Sequence, residues 1–122
     1  MIWSVIGAAC LGLAVMLGAF GAHVLRARLD AYSMGIYERA VFYHFIHAIG
    51  LLVAPVLVRT NALREPAGTL VCALLAAGIV LFSGSLYLLA VTGVRWLGAV
   101  TPIGGLCFIA AWLVLAVSLA RG

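Results

Sequence analysis

Residues 42–50 read FYHFIHAIG, placing two imidazoles, His44 and His47, three positions apart in a run otherwise suited to lipid. Imidazole can bind a metal, serve as an axial haem ligand or carry a proton near neutral pH. It can also simply hydrogen-bond between helices. Zinc requires three or four N, S or O ligands in tetrahedral array, and Cys107 is the candidate third ligand at comparable depth. No CxxC or HExxH spacing is present, and Cys10 and Cys72 fall too far away in depth, so no metal site is expected. Haem fares no better. Two histidines one turn apart on one helix cannot reach opposite faces of an iron, and a second axial ligand would have to come from His23 or another protomer. No cofactor is therefore expected. The three cysteines sit in different apolar runs and read as small packing residues, not a disulfide framework.

Proton transfer is a more substantial option, because an ionisable group inside a membrane is a functional candidate by default. His47 has potential support from Glu38, Tyr43 and the hydroxyls of Ser83, Ser85, Tyr87 and Thr101. Against it, no acidic residue lies deep in an apolar run, and no inverted repeat relates the two halves. There is no nucleophile motif or paired carboxylate set either, so no catalytic residue is assigned and enzymatic chemistry has no support.

The elements that must position these groups follow from composition. The 122 residues are 67% hydrophobic and 8% charged, against about a quarter charged in soluble domains. A bilayer core about 30 Å thick is crossed by roughly 20 apolar residues. Four such runs occur, at residues 2–25, 39–58, 66–92 and 99–120, and at this length only helices satisfy their own backbone groups in lipid. The class is all-α: one integral-membrane four-helix bundle over residues 1–122. The first run lacks a basic n-region and exceeds the ~7 to 15 apolar residues of a signal peptide, so it is read as a span.

Pro66 and Glu65 suit the start of the third helix, Thr101-Pro102 the start of the fourth, and Pro55 should kink the second by freeing the Leu51 carbonyl. Small residues recur at packing intervals: Ala8/Gly12, Ala14/Gly18, Gly18/Ala22, Gly50/Ala54 and Ala73/Ala77. Gly21, Gly84, Gly104 and Gly105 join Gly18 and Gly50 as expected points of close helix approach.

Four crossings put the first and third loops on one side. The polar inventory gathers there: His23 at the end of the first helix, Glu38 at the start of the second, His44 and His47 inside it, FSGSLY (82–87) and TPIGG (101–105). Helical phase places Tyr43, His47, Gly50 and Ala54 on one stripe and Tyr37, His44 and Leu51 on another about 60° around. The small residues of the first stripe can admit a neighbour, which assigns His47 to the interior and His44 to the edge of that face. Arg26, Arg28, Arg39 and Arg95 flank one side and Arg59, Arg64 and Arg121 the other, a near-equal division that carries little orientation signal. Without a basic stripe interleaved with aromatics, the net charge of +4 gives no nucleic-acid signal.

Several blocks in order, GAFGAH (18–23), YERAVFYHFIHAIGLL (37–52), LFSGSLYLLAVTG (81–93) and LGAVTPIGGLCFIAAW (97–112), resemble the domain-of-unknown-function 423 family. These are small bacterial membrane proteins related to the animal transmembrane protein 256. The resemblance covers essentially the whole chain and implies a four-helix protein of the bacterial inner membrane, with no activity to transfer. Similar proteins read Tyr-Gln-x-x-His where this chain has Tyr43-His44-Phe45-Ile46-His47. His47 fits that pattern and His44 stands in place of glutamine, which argues against a two-histidine metal site. The expected role is a scaffold, accessory subunit or lipid-associated protein, with membrane lipids and a homo-oligomer or larger membrane complex as partners. The alternative is a proton-linked carrier or channel using His47.

Overall fold

The computed structural model describes residues 1–122 as four long helices. Helix α1 runs Ile2–His23 and is followed by a 3-10 turn at Leu25–Ala27. Helix α2 spans Ala31–Arg59, α3 Ala67–Thr92 and α4 Leu97–Ala120. All four are long and apolar enough to cross a membrane.

Two starts differ from the expected ones. Helix α2 begins at Ala31, not Arg39, because Asp30 caps it: its carboxylate accepts the Ser33 N–H at 2.7 Å. Glu38 therefore lies inside the helix, where it is exposed and pairs with Arg26 at 2.8 Å. Helix α4 begins at Leu97, so Thr101 and Pro102 lie within it and do not cap it. The start of α3 agrees with its expectation: Pro66 occupies the cap position, and the Glu65 carboxylate accepts the Thr69 N–H at 2.9 Å. At its other end α3 closes on Gly93, whose left-handed φ of 70° turns the chain toward α4.

The helices pack in chain order, α1 on α2, α2 on α3 and α3 on α4. The two middle helices, α2 and α3, are the more enclosed, while α1 and α4 leave most of their apolar stretch exposed. One apolar cluster, centred on Leu51, Leu75 and Phe108, fills the half near the second loop. Another, around Tyr37, Ala40 and Leu86, fills the half near the first and third loops.

Glycine sets how closely these helices approach. A Cβ on Gly7 would stand 2.6 Å from the Leu52 amide nitrogen, so α1 crosses α2 backbone to backbone. Gly104 meets the Phe82 backbone in the same way, joining α4 to α3. Gly21 gives its space to the Tyr37 ring and Gly78 to the Phe108 ring, while Gly50 lies under Trp112, its Cβ position 3.0 Å from that ring. Gly18 and Gly105 make only ordinary contacts, and the nearest neighbour of Gly84 is the Ile79 carbonyl of its own helix. The expected Ala8/Gly12 packing pair falls outside the helix contacts, and Ala73 of another pair faces outward. Ala8, Gly12 and Ala73 are exposed, and nothing approaches Gly12. Spacing alone does not distinguish a packing stripe from a lipid-facing one.

Within α3, residues Ile79–Ser83 form a π-helical segment in which the Gly84 N–H bonds the Ile79 carbonyl, five residues back. This extra residue in the turn shifts helical phase between the two halves of α3. It brings the Phe82 backbone against α4 and Ser83 against α2.

Gly104→Val should lower the melting point in detergent strongly, costing about 2 kcal/mol or more through overpacking. Gly12→Ala should be neutral or raise stability by ~0.5 to 1 kcal/mol, the helix-propensity gain at an open position. The Asp30 carboxyl is held below the ordinary carboxylate range, first by the Ser33 amide and then by its hydroxyl. Its capping contribution is therefore complete above the usual aspartate pKa and is lost as pH falls through the lowered value. Amide protection factors at residues 31–34 should drop in Asp30→Ala at neutral pH, and in the wild type only on acidification.

Candidate functional site

The polar residues of the half near the first and third loops are consumed mainly by helix-to-helix hydrogen bonds. Ser83 Oγ donates to the Ala40 carbonyl at 2.9 Å, tying α3 to α2. The Ser85 and Thr101 hydroxyls, 2.6 Å apart, tie α3 to α4. Tyr37, 2% exposed, donates its hydroxyl to the Leu17 carbonyl of α1. The Tyr37 ring meets Tyr87 edge-on at 5.2 Å, and the Tyr87 hydroxyl lies 2.8 Å from His44 Nδ1. Aromatic side chains on a helix lean toward its N-terminus, which lets Tyr87 of α3 reach back to the level of His44. The result is a polar chain crossing from α1 through α2 to α3.

His44 is therefore not at an edge. It is 2% exposed, as enclosed as His47 at 4%. Its Nε2 is buried without a hydrogen-bond partner. The expectation that His44 lies to one side failed because α2 has neighbours on more than one face. Tyr37, His44 and Leu51 face α1 and α3, while His47 and Gly50 face α4.

His47 occupies the predicted interior but makes no hydrogen bond to another helix. Its Nδ1 donates to the Tyr43 carbonyl of the preceding turn at 2.7 Å. The ring stacks on Phe108 of α4, with centroids 3.4 Å apart and planes 11° from parallel. Tyr43 joins the same seam through Phe82, at 4.6 Å. The two histidines thus serve different interfaces, and no group of three His, Cys, Asp or Glu side chains converges to hold a metal ion. Of the other expected members, His23 is exposed at the end of α1, and Glu38 is engaged by Arg26 at the surface. Neither joins the buried chain.

Comparison with known proteins agrees with a membrane protein. The family model described as Protein of unknown function (DUF423) matches residues 17–105. A UPF0382 membrane protein of Staphylococcus haemolyticus, SH2409, is 47% identical over 115 residues, covering 93% of this chain and 91% of the relative. YwdK of Bacillus subtilis, also a UPF0382 membrane protein, is 42% identical over 119 residues, covering 96% and 94%. The chain belongs to the DUF423 family. No solved structure matches it. As a DUF423 member with four membrane-crossing helices, it is a multi-pass membrane protein, and the family assigns it no activity.

Two further residues of this DUF423 chain carry structural hydrogen bonds: Tyr37, whose helical phase with His44 is the signal that points to it, and Ser4, whose hydroxyl donates to the Leu52 carbonyl at 3.1 Å beside the Gly7 crossing, in the half near the second loop. A double-mutant cycle of His44→Leu and Tyr87→Phe, read by thermal melting in detergent, should give a coupling of about 1 kcal/mol, within the ~0.6 to 1.7 kcal/mol measured between membrane helices. His44→Gln should retain most of it, since an amide can still meet the Tyr87 hydroxyl.

Proposed function

We propose that this protein is a membrane scaffold or accessory subunit that works in association with lipid and a larger complex. The observation carrying this reading is the commitment of the buried polar groups to the fold. His44, His47, Ser83, Ser85 and Thr101 line none of the principal cavities. His47 is sealed against Phe108, and its Nδ1 proton is held by the carbonyl of its own helix. A proton carrier needs its ionisable group to reach water from each side in turn, and this histidine has aromatic rings on its flank.

The exposed faces support the same role. Helices α1 and α4 leave most of their apolar surface open to lipid or to neighbouring chains. Aliphatic residues such as Val15 and Met16 on α1, and Leu106 and Leu113 on α4, are more than half exposed. Such faces suit lateral association in the bilayer, where close packing drives assembly.

Purification from native membrane in mild detergent should return the protein with co-migrating chains or bound lipid, identified by mass spectrometry. A lipid-free monomer would remove the basis for the accessory role. In proteoliposomes under imposed pH gradients, the wild type, His47→Ala and Glu38→Ala should all show the same background flux. A pH-dependent flux abolished by His47→Ala would establish the carrier reading instead.

A further inference from the structure

Between the first turns of α2, the end of α3 and the start of α4 lies a cavity of about 490 Å³, within the ~300 to 1,000 Å³ range of small-molecule sites. Ile36 and Leu89 form its apolar wall, and Tyr32, Ser33 and Arg95 contribute its polar groups. Gly93 and Gly98 place no side chain in it. The site therefore combines a guanidinium at a helix end with an apolar wall formed by residues inside two membrane spans.

Arg95 is chemically free. The single ion pair in the protein joins Arg26 and Glu38. The other carboxylate on this side, Asp30, is occupied in capping Ser33. Asp30 keeps its negative charge while it caps α2, and Arg28, Arg39 and Arg95 together outweigh it, so this side of the membrane is net positive. With Ser33 held by Asp30, the donors left to a ligand are the Arg95 guanidinium and the Tyr32 hydroxyl, which has no protein partner and belongs to a residue 79% exposed. A planar guanidinium fork matches the oxygens of a phosphate ester. Basic pockets between helices at a membrane surface suit anionic headgroups, and the apolar wall suits the first carbons of an acyl chain. Trp96, 68% exposed beside Arg95, is an aromatic of the kind that settles at the headgroup level.

We propose that this cavity is a phosphate-ester site anchored by Arg95, with an anionic phospholipid as the source of the phosphate. The inference rests on the lipid-associated part of the proposed function, yet the two can fail separately. Partner chains that co-purify without lipid at this site would leave the scaffold role standing and remove the lipid site.

The test uses the full-length protein, delipidated in detergent and titrated with phosphatidylglycerol or with phosphatidylcholine of the same chains. Bound lipid is counted by native mass spectrometry. Wild type should bind one phosphatidylglycerol in preference to phosphatidylcholine. Arg95→Gln should weaken that binding about tenfold or more, the loss of a charge-assisted hydrogen bond. Arg121→Gln, at the far side of the membrane, should leave it unchanged. Gly98→Leu should also weaken binding: the nearest neighbour of a Cβ there is a Leu89 methyl at 3.9 Å, so the backbone tolerates the change while the side chain fills the cavity. Melting curves matching the wild type would confirm that both variants fold. Competition with glycerol 3-phosphate separates the sources. If the soluble ester does not displace the lipid at millimolar concentration, the bilayer source is supported; if it binds alone with Arg95-dependent affinity, the phosphate site stands and the lipid source is overturned. Equal binding of both lipids, or binding indifferent to Arg95→Gln and Gly98→Leu, would overturn the site itself.

Discussion

In lipid, apolar faces gain nothing from avoiding water, so helices must be held by surfaces that fit more closely to one another than to acyl chains. Here that closeness is concentrated where a missing side chain lets backbones meet. Gly7 seats α1 against Leu52 of α2, and Gly104 seats α4 against Phe82 of α3. Hydrogen bonds reinforce each contact within a turn or so: Ser4 donates to the same Leu52 whose backbone Gly7 touches, and the Ser85–Thr101 pair lies beside Gly104. The two outer helices hang on these joints, which is why they can leave so much of their surface to the membrane.

The middle of the bundle depends on the π-helical segment of α3. The extra residue in the Ile79–Ser83 turn shifts helical phase between a first half that packs in the Leu51–Leu75 cluster and a second half in which Ser83 meets Ala40 and the Phe82 backbone meets Gly104. Above it, the chain Leu17–Tyr37–Tyr87–His44 links three helices with groups that would be costly to leave unpaired in a bilayer. Polarity in this protein thus fixes geometry, and chemistry open to a ligand is displaced to the rim, where Arg95 and Tyr32 border a cavity.

The two histidines of the FYHFIHAIG run illustrate what helical phase can and cannot decide. Their residue types and spacing identified α2 as the helix carrying buried polarity, and the stripe containing Gly50 correctly turned His47 inward. Phase alone ranked His44 as peripheral because it assumed one interior direction. With α1 and α3 on one side of α2 and α4 on another, two stripes about 60° apart both became interior, and each histidine acquired its own partners. The start of α2 was displaced for a related reason. Hydropathy locates the portion of a helix suited to lipid, whereas the cap at Asp30 fixes where the helix begins.

Length and composition by themselves determined that the chain forms four membrane-crossing helices with polar groups weighted toward one end, since a run of about 20 apolar residues in lipid has no other way to satisfy its backbone. Sequence also assigned the family, through blocks spread along the chain. Only the tertiary structure decided which glycines are joints and which merely face lipid, because Gly7, Gly12 and Gly104 are equivalent until a neighbour approaches. It likewise decided that His44 belongs to a three-helix polar chain, and that Arg95 stands free over a cavity. Those outcomes depend on which helices become neighbours and on the phase shift inside α3, relations between distant residues that local spacing does not contain.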